Sequence, residues 1–344
     1  MTAPPPSIRQ RSRRIAGRAL RSSPQPIQRL LRRAVDALDA ALPLAEPHSQ
    51  VPAVAGVWHT PPAPLPTGVT LEELTAMFRT WSVNGETPGH LDVYLDDSLW
   101  RFCHTWAMVR DESGPCLELG ANPFFTTQLL EQYTDLELTL ANYYGHSGET
   151  VDTVSFVPVR GTTRVERAHP SVLVNVEEEP LPFDAGSFRV VLFCEIIEHL
   201  LMNPLATLRE IHRVLQPGGL LVVTTPNVAR IDNVMAMVHG ANIYDPYSGF
   251  GPYGRHNREY TRHELYRLLE FAGFGVETSF TADGHPYHES RWPRAAQAEP
   301  LVDWRRDDLG HYLFVRARAN GTPREGLPSF LYRSWPDDAI VDYV

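Results

Sequence analysis

From Asp111 onward, short apolar runs alternate with stretches whose apolar residues recur at helical spacing. This alternation is typical of a parallel β-sheet whose strands are joined by crossover helices. The apolar runs predict strands at residues 116–119, 136–141, 172–176, 188–193, 220–224, 274–280 and 311–318. The stretches between them predict helices at residues 123–132, 204–215 and 261–272. The sequence therefore predicts an α/β fold, a doubly wound and mostly parallel seven-stranded sheet.

The residues before this pattern have a different composition. Residues 1–68 are rich in Pro and Arg, which predicts a partly disordered N-terminal arm and linker. Thr70 and Glu73 have the spacing of a helix capping box, and an aromatic-rich helix follows at residues 91–109. We therefore expect four parts, namely the arm (1–68), a helical lid (69–110), an α/β domain (111–318) and a C-terminal tail (319–344).

Charge is unevenly distributed along the chain. Residues 1–33 hold nine Arg and no acidic residue, and the remaining 311 residues hold 22 Arg against 41 acidic residues, a formal charge of −19. A body with that charge repels polyphosphates, which argues against a nucleic-acid substrate. We expect a small-molecule or oligosaccharide acceptor instead. The oligomeric state is left open, with a homodimer as one option.

Three cysteines, Cys103, Cys116 and Cys194, lie far apart without CxxC spacing. This usage is typical of a reducing compartment and argues against a disulfide scaffold. No apolar run approaches the roughly 18 residues of a membrane span, and the Arg-rich N-terminus lacks the apolar stretch of a secretory signal. The sequence therefore predicts a cytoplasmic location without a membrane span.

A candidate ligand-binding turn follows the first predicted strand, in Leu117-Glu118-Leu119-Gly120-Ala121-Asn122-Pro123. Gly120 permits a tight turn and lets a ligand approach the backbone. Asn122 suits an N-cap and Pro123 the first helical position, so the helix N-terminus would favour a carboxylate. At the end of the second strand, Asn142 lies where a ribose-binding acid is expected.

A second candidate site follows the fourth predicted strand, in Cys194-Glu195-Ile196-Ile197-Glu198-His199. If a helix begins there, Glu195, Glu198 and His199 occupy positions i, i+3 and i+4 on one face. Two carboxylates and an imidazole are unfavourable together unless they are protonated, paired or bound to a cation. His256 is the fourth candidate ligand. Without a metal, Glu198 or His199 is the candidate general base.

Three further segments complete a recognisable order: 180–191, which starts Pro-Leu-Pro-Phe-Asp, then Glu198-His199-Leu200, then Arg213 to Gly219. With the Gly120 turn, this order resembles the class I S-adenosylmethionine-dependent methyltransferases, over about residues 111–318. The resemblance implies a Rossmann-like fold and S-adenosylmethionine as cofactor. It implies cofactor contacts from the turn and from the ends of strands two to four: Glu118, Gly120, Ala121, Asn142, Asn175, Val176 and Cys194. Asn122 and Phe124 stand where further glycines are usual, and Asn142 replaces the usual acid.

The ExxEH segment, followed by His256 before Glu259-Tyr260-Thr261-Arg262, is similar to the metal motif of small-RNA 2′-O-methyltransferases. Ubiquinone-pathway O-methyltransferases share its first half. This resemblance implies that Glu195, Glu198, His199 and His256 bind Mg²⁺ or Mn²⁺. The Glu-His-Leu triplet also occurs in class I methyltransferases that need no metal, where it braces the pocket.

The resemblance predicts an O-methyltransferase, and vicinal oxygens of a sugar or a catechol suit a metal beside the methyl group. All 31 basic residues are Arg, which is typical of GC-rich bacteria such as actinobacteria. Methyltransferases of this kind in actinobacteria include enzymes that act on sugars and polysaccharide precursors, so the leading hypothesis is a carbohydrate hydroxyl, on a mannoside in particular. The alternatives are an RNA ribose, a small catechol, and a cofactor-binding protein without catalysis. Residues 233–253, rich in Tyr, Gly and Pro, are predicted to form a substrate loop.

Overall fold

The computed structural model describes residues 63–284, 302–336 and 338–343. The predicted arm and most of the predicted linker, residues 1–62, lie outside these ranges. In the described residues, no helix has the length and apolar character needed to cross a membrane. The four predicted parts remain predictions.

A nine-stranded mixed sheet forms the centre of the described chain, in the order β1-β4-β5-β3-β2-β6-β7-β9-β8. The strands are β1 (Ser82–Val83), β2 (Ser113–Leu119), β3 (Asp135–Asn142), β4 (Gly148–Phe156), β5 (Val165–Leu173), β6 (Phe188–Cys194), β7 (Leu215–Pro226), β8 (Phe274–Ala282) and β9 (Tyr312–Ala319). In the order of the sheet, seven neighbouring strands correspond to the seven predicted ones: β5, β3, β2, β6, β7, β9 and β8. Strands β2, β3, β5, β6 and β7 are parallel, and β9 runs antiparallel between β7 and β8. The predicted doubly wound α/β sheet is therefore confirmed, with two more strands at one edge.

The added edge corrects the sequence analysis in one region. Residues 148–156 form β4, which pairs antiparallel with β5 over nine residues, whereas no strand was predicted there. The third predicted strand, 172–176, is displaced, because β5 spans Val165–Leu173. Asp152, Val154 and Phe156 are buried while their neighbours are more exposed, so β4 has the alternation of a half-buried strand. A strand therefore connects β3 to β5 where a helix is usual.

Side chains extend the short outer strand β1. Its two residues pair with Ser155 and Val154 of β4. Beyond β1, the Asn84 backbone N–H donates to Thr153 O and its side-chain oxygen accepts from Thr153 N–H, at 2.7 and 2.8 Å. On the other side of β1, Thr80 Oγ1 accepts from Val157 N–H at 2.8 Å. These bonds cover backbone groups of the β4 edge that β1 itself does not reach.

Helices cover both faces of the sheet. They are α1 (Leu71–Arg79), α2 (Asp92–Ala107), α3 (Phe125–Tyr133), α4 (Pro204–Val214), α5 (Ile231–Val238) and α6 (Arg262–Phe271), with short 3₁₀ turns at Ile197–His199, Pro252–Gly254 and Asp303–Asp308. The predicted capping box of α1 is confirmed, since Thr70 Oγ1 accepts from Glu73 N–H and Glu73 accepts from Thr70 N–H. Two short strands near the C-terminus, β10 (Leu327–Pro328) and β11 (Ile340–Val341), form a separate parallel pair.

Two apolar cores lie on the two faces of the sheet. Alternate residues of β6 divide between them, with Val191 and Phe193 in one core and Val190 and Leu192 in the other. The second core also contains the aromatic side chains of the α1–α2 region, among them Phe78, Trp81, Phe102 and Trp106. Helices α1 and α2 are thus packed onto the sheet, and they bring α2 to the carboxyl ends of the parallel strands.

We expect Thr261→Ala to destabilise the protein by about 1 kcal/mol, because it removes an N-cap. Thr261 Oγ1 accepts from Glu264 N–H at 3.1 Å at the start of α6, and Glu264 completes the capping box. Urea unfolding followed by circular dichroism measures the change. Thr163→Ala, at an exposed turn position, is the matched control. Equal midpoints for both variants would contradict the role of the cap.

Candidate functional site

The residues predicted to bind the cofactor all line two adjoining cavities at the carboxyl edge of the sheet. The smaller cavity, of about 180 Å³, includes Asn175, Val176 and His199 in its wall. The larger, of about 310 Å³, includes Glu118, Ala121 and Cys194. Both share Leu119, Gly120, Asn142, Tyr143 and Ile196. The turns after β2, β3, β5 and β6 therefore bring the predicted residues together.

Gly120 lies where the two cavities meet. Its φ of 69° places it in the left-handed region, which glycine adopts without a steric penalty. A Cβ atom added here would lie 3.0 and 3.2 Å from Cδ1 and Cγ1 of Ile196, which form the opposite wall. Glycine thus permits both the turn and the space beside it.

The predicted start of α3 is wrong. The Asn122–Pro123 peptide bond is cis, Phe124 is left-handed with φ of 70°, and the helix begins at Phe125 without a side-chain cap. Asn122 is therefore not the N-cap, and Pro123 is not the first helical residue. Phe124 is fully buried and stacks on His169, with ring centroids 4.9 Å apart, and this packing outweighs the local preference for a helix.

Asn142 is committed to bonds within the protein. Its Oδ1 accepts from Asn122 N–H at 3.0 Å, and its Nδ2 donates to Ser171 Oγ at 3.1 Å. The residue lines both cavities, and its side chain braces the turn that carries Gly120. Its contact with a cofactor ribose stays a prediction. A carboxylate could not donate the second bond, so asparagine suits this bracing role.

A tyrosine from a distant loop closes the smaller cavity. Tyr253 OH accepts from Asn175 Nδ2 at 3.1 Å, and its ring meets that of Tyr143 edge-on with centroids 5.9 Å apart. Sequence analysis did not select Tyr143, and it placed Tyr253 only in a general substrate loop. Tyr143 directly follows Asn142 at the end of β3, whereas the position of Tyr253 depends on the long connection after α5.

Two buried ionisable side chains line the larger cavity. Glu118 accepts from Thr127 Oγ1 at 2.7 Å, and burial raises the pKa of Glu118 to about 8. Arg101, on α2, lies with its Nε 3.9 Å from Oε2 of Glu195. Sequence analysis missed Arg101, because its position depends on the packing of α2 against the sheet.

Glu198, His199 and His256 come together beside the smaller cavity. Each offers one ligand atom, and the three atoms lie within 4.8 Å of one another. The two imidazole rings meet edge-on with centroids 5.0 Å apart. Although 56 residues separate the two histidines in sequence, the structure brings both of them to the carboxylate predicted to accompany them.

Hydrogen bonds select one tautomer for the neutral form of each ring. Nδ1 of His199 donates to the backbone carbonyl of Arg255 at 2.9 Å, and Nδ1 of His256 donates to Oε1 of Glu259 at 3.0 Å. Because both acceptors lack a proton to give, each neutral ring has its lone pair on Nε2. An imidazole whose other nitrogen donates to a carbonyl or carboxylate is the usual arrangement of a metal-binding histidine.

Glu259 is itself held as a carboxylate. Burial opposes its charge, but the hydrogen bond from His256 and the nearby Arg230 outweigh burial and lower the pKa of Glu259 to about 2. Arg230 Nη1 lies 2.5 Å from Glu259 Oε2. In the sequence Glu259 stands out only as part of a motif. The structure gives it a specific partner, His256.

Glu198 has one satisfied and one unsatisfied oxygen. Its side chain is 0% exposed, Oε2 accepts from Thr225 Oγ1 at 2.8 Å, and Oε1 has no hydrogen-bond partner among the described residues. Burial, together with the charge of Glu195, raises the pKa of Glu198 well above its ordinary value. A buried oxygen without a donor, 3.8 Å from His199 Nε2, is the feature expected where a cation completes the site.

The predicted helix face for Glu195, Glu198 and His199 is wrong. Glu195 has φ of 55°, and only a 3₁₀ turn, Ile197–His199, follows it. Glu195 lies outside the group formed by the other three predicted ligands. Its Oε1 accepts from Thr224 Oγ1 at 2.9 Å, and its Oε2 is the oxygen near Arg101. The left-handed residue separates Glu195 from the metal candidates and places it in the wall of the larger cavity.

Asn257 joins the two segments that carry the ligands. Its Nδ2 donates to the carbonyls of His199 and Pro252 at 2.8 and 2.9 Å. Its backbone N–H donates to the carbonyl of Glu198 at 2.7 Å. These bonds hold the segment of His256 against the turn of Glu198 and His199. The spacing of the three side chains is therefore set by the protein.

Comparison with known proteins gives a consistent assignment. Residues 91–279, more than half of the chain, match the family described as "Methyltransferase domain". A protein of Mycolicibacterium smegmatis named "Probable S-adenosylmethionine-dependent methyltransferase" is 39% identical over 103 residues, 30% of this chain and 34% of that protein. The mitochondrial ubiquinone biosynthesis O-methyltransferase of Rattus norvegicus is 33% identical over 103 residues, 29% of this chain and 28% of that protein. The chain thus spans about a third of the length of the curated relatives it matches.

A solved methyltransferase gives a more distant match. The Burkholderia thailandensis 1,6-didemethyltoxoflavin-N1-methyltransferase, solved with 1,6-didemethyltoxoflavin and S-adenosylhomocysteine, is 19% identical, with a TM-score of 0.38. The match covers 67% of this chain and 81% of that one. The family match and the strand order described above agree, and this chain belongs to the methyltransferase-domain family, with the Rossmann-like fold of class I S-adenosylmethionine-dependent methyltransferases.

Proposed function

We propose that this chain transfers a methyl group from S-adenosylmethionine to a hydroxyl oxygen of a carbohydrate, with the assistance of a divalent cation. The observation that carries the proposal is the group formed by Glu198, His199 and His256 beside a cavity lined by the motif residues. The rat relative, which is named an O-methyltransferase, supports oxygen as the acceptor atom.

The cofactor would occupy the two adjoining cavities. Gly120 leaves space at their junction, and Glu118 provides a carboxyl group in the larger cavity. Asn175 and Val176 line the smaller cavity, where the resemblance places the adenine. Class I methyltransferases displace the methyl group in line, so the main task of the protein is to align the acceptor oxygen with the sulfonium carbon and to exclude water.

The residues of the second site fit a divalent cation. One carboxylate oxygen without a partner and two imidazoles with unprotonated Nε2 atoms would hold it, and two nitrogen ligands make Mn²⁺ as suitable as Mg²⁺. When bound, the cation lowers the pKa of an acceptor hydroxyl. The protein contributes the fixed orientation of His256, through Glu259, and of His199, through the carbonyl of Arg255.

The same residues also suit a route without metal. Nε2 of neutral His199 can accept the hydroxyl proton, and burial together with the neighbouring His256 lowers the pKa of His199, which keeps the ring neutral. The two routes differ in their need for His256, which the proton-transfer route does not use as a base.

The acceptor hypothesis rests on the surroundings of the site. The loop that leads to His256 carries Tyr244, Tyr247 and Phe250, of which Tyr247 is 93% and Phe250 95% exposed. Exposed aromatic rings are suited to stack on the apolar face of a pyranose. The acidic body of the chain disfavours RNA, which is the main alternative among O-methyl acceptors.

We expect glycosides, and mannosides in particular, to accept labelled methyl groups from S-adenosylmethionine. The experiment incubates the full chain and Mn²⁺ with a panel of mannosides, glucosides, catechols and short RNAs, and mass spectrometry locates the new methyl group. Tyr247→Ala should raise the KM for a glycoside acceptor several-fold and leave cofactor binding unchanged. Methylation of catechols or RNA, with every glycoside inert, would overturn the carbohydrate assignment.

A further inference from the structure

A buried arginine forms part of the wall of the larger cavity. Arg101 lies on α2, its residue is 5% exposed, and it lines the cavity together with Asn122 and Thr126, which flank the start of α3. Neither the sequence motifs nor the family resemblance singled it out. Charged side chains are seldom buried to this extent without a specific partner.

The guanidinium of Arg101 has a hydrogen-bond partner in Tyr94 and an ion-pair partner in Glu195. Its Nη2 donates to Tyr94 OH at 2.7 Å, whereas its Nε donates no hydrogen bond to any described residue. Oε2 of Glu195 lies 3.9 Å from Nε, which is within ion-pair distance but beyond hydrogen-bonding distance. The rings of Phe102 and Tyr312 lie 4.9 and 5.2 Å from the guanidinium carbon. These contacts fix the plane of the guanidinium. They leave its Nε without a hydrogen-bond acceptor among the described residues.

The opposite side of the cavity adds a second preference for negative charge. Helix α3 begins at Phe125 without a side-chain cap, so the first backbone N–H groups of this nine-residue helix have no capping acceptor. Thr126, in the first turn of this helix, lines the same cavity as Arg101. Unpaired N–H groups at a helix start and a guanidinium together favour a carboxylate, which can accept from both.

The carboxyl groups of the cavity match the remaining half of an amino acid. Glu118 and Glu195 also line this cavity, and their carboxyl oxygens can accept hydrogen bonds from an ammonium. A ligand with a carboxylate and an ammonium on one carbon therefore complements the wall better than a ligand with a single charge.

We propose that Arg101 binds the carboxylate of the amino-acid end of the cofactor and so makes the protein selective for cofactors that keep this carboxylate. This inference rests on the proposed function, in which the cofactor occupies the two cavities. It gives α2 a role in ligand recognition. From the sequence, the N-terminus of α3 alone was expected to bind this carboxylate, and Arg101 would now share that contact.

The test compares ligands that differ only in the charged end. S-adenosylhomocysteine, its decarboxylated analogue and 5′-methylthioadenosine are titrated calorimetrically into the full chain. Wild-type protein should bind S-adenosylhomocysteine on the order of 10 to 100 times more tightly than the decarboxylated analogue. Arg101→Met should lose that preference while keeping its affinity for 5′-methylthioadenosine. Arg110→Met, which removes an exposed arginine just after α2, is the matched control and should behave as wild type.

The outcomes separate this inference from the proposed function. If wild-type protein binds none of the three ligands, the cofactor assignment fails. If it binds them all with equal affinity, the cofactor assignment stands and the role of Arg101 is overturned, whether or not Arg101→Met folds. If Arg101→Met weakens the binding of S-adenosylhomocysteine and 5′-methylthioadenosine equally, Arg101 only supports the fold.

Discussion

His256→Ala is expected to reduce methyl transfer about 1,000-fold and to abolish tight Mn²⁺ binding. The substitution removes one of the three side chains that, among the described residues, meet at the candidate metal site. It leaves Glu118, Gly120 and Asn175 unchanged, so the affinity for S-adenosylhomocysteine should stay within about two-fold of the wild-type value. Calorimetry with Mn²⁺ and, separately, with S-adenosylhomocysteine measures both effects without an acceptor.

Two further variants sharpen this prediction. Glu259→Gln keeps His256 but removes the carboxylate that accepts from its Nδ1, so Mn²⁺ affinity should fall about 10- to 100-fold. His263→Ala removes an exposed histidine of α6 and should bind Mn²⁺ as wild type does. Undiminished turnover by His256→Ala in excess chelator would discard the metal and leave His199 as the base.

Gly120→Val is expected to weaken the binding of S-adenosylhomocysteine at least about 100-fold. At φ of 69° a valine is strained, and its Cβ would lie 3.0 Å from Cδ1 of Ile196 before its methyl groups are counted. The side chain would occupy the junction that both cavities share. The measurement is calorimetric titration of the folded variant.

Gly186→Val separates backbone strain from loss of the cavity. Gly186 has φ of 70°, almost the same as Gly120, and a Cβ added there meets no atom within 4 Å. Both variants should lose roughly 1–2 kcal/mol of stability from the left-handed conformation. Only Gly120→Val should lose ligand affinity. Equal binding by both variants would falsify the assignment of this turn to the cofactor.

The sequence predicted the segments whose structure depends on local pattern. Strand β6 contains the continuous buried apolar run Val190–Phe193, and α6 begins after Thr261 with a capping box, so local signals suffice. The start of α3 could not be predicted in this way. Its position depends on Phe124, which is buried against His169 of β5, and a contact between residues 45 positions apart leaves no trace in the local sequence.

The candidate site shows the same division. The motif selected Glu198, His199 and His256, and the structure places them together. It also selected Glu195. That choice assumed a helix starting at Glu195, and the left-handed backbone of Glu195 prevents such a helix. Arg101 was missed, because a lone arginine on an amphipathic helix is usually exposed and only the packing of α2 reveals its burial.

The outer edge of the sheet has a consequence for self-association. An unpaired strand edge is a template onto which another chain can add a strand, and proteins that aggregate often do so at such edges. Strand β4 has nine residues, but β1 together with Asn84 and Thr80 occupies its outer edge from Thr153 onward. Along this edge of β4, residues 148–152 are left as a template. It carries Glu149, which is exposed and whose charge opposes the addition of an identical strand. The two residues of β1 and the side chains of Asn84 and Thr80 therefore restrict the addition of further strands at this edge of the sheet.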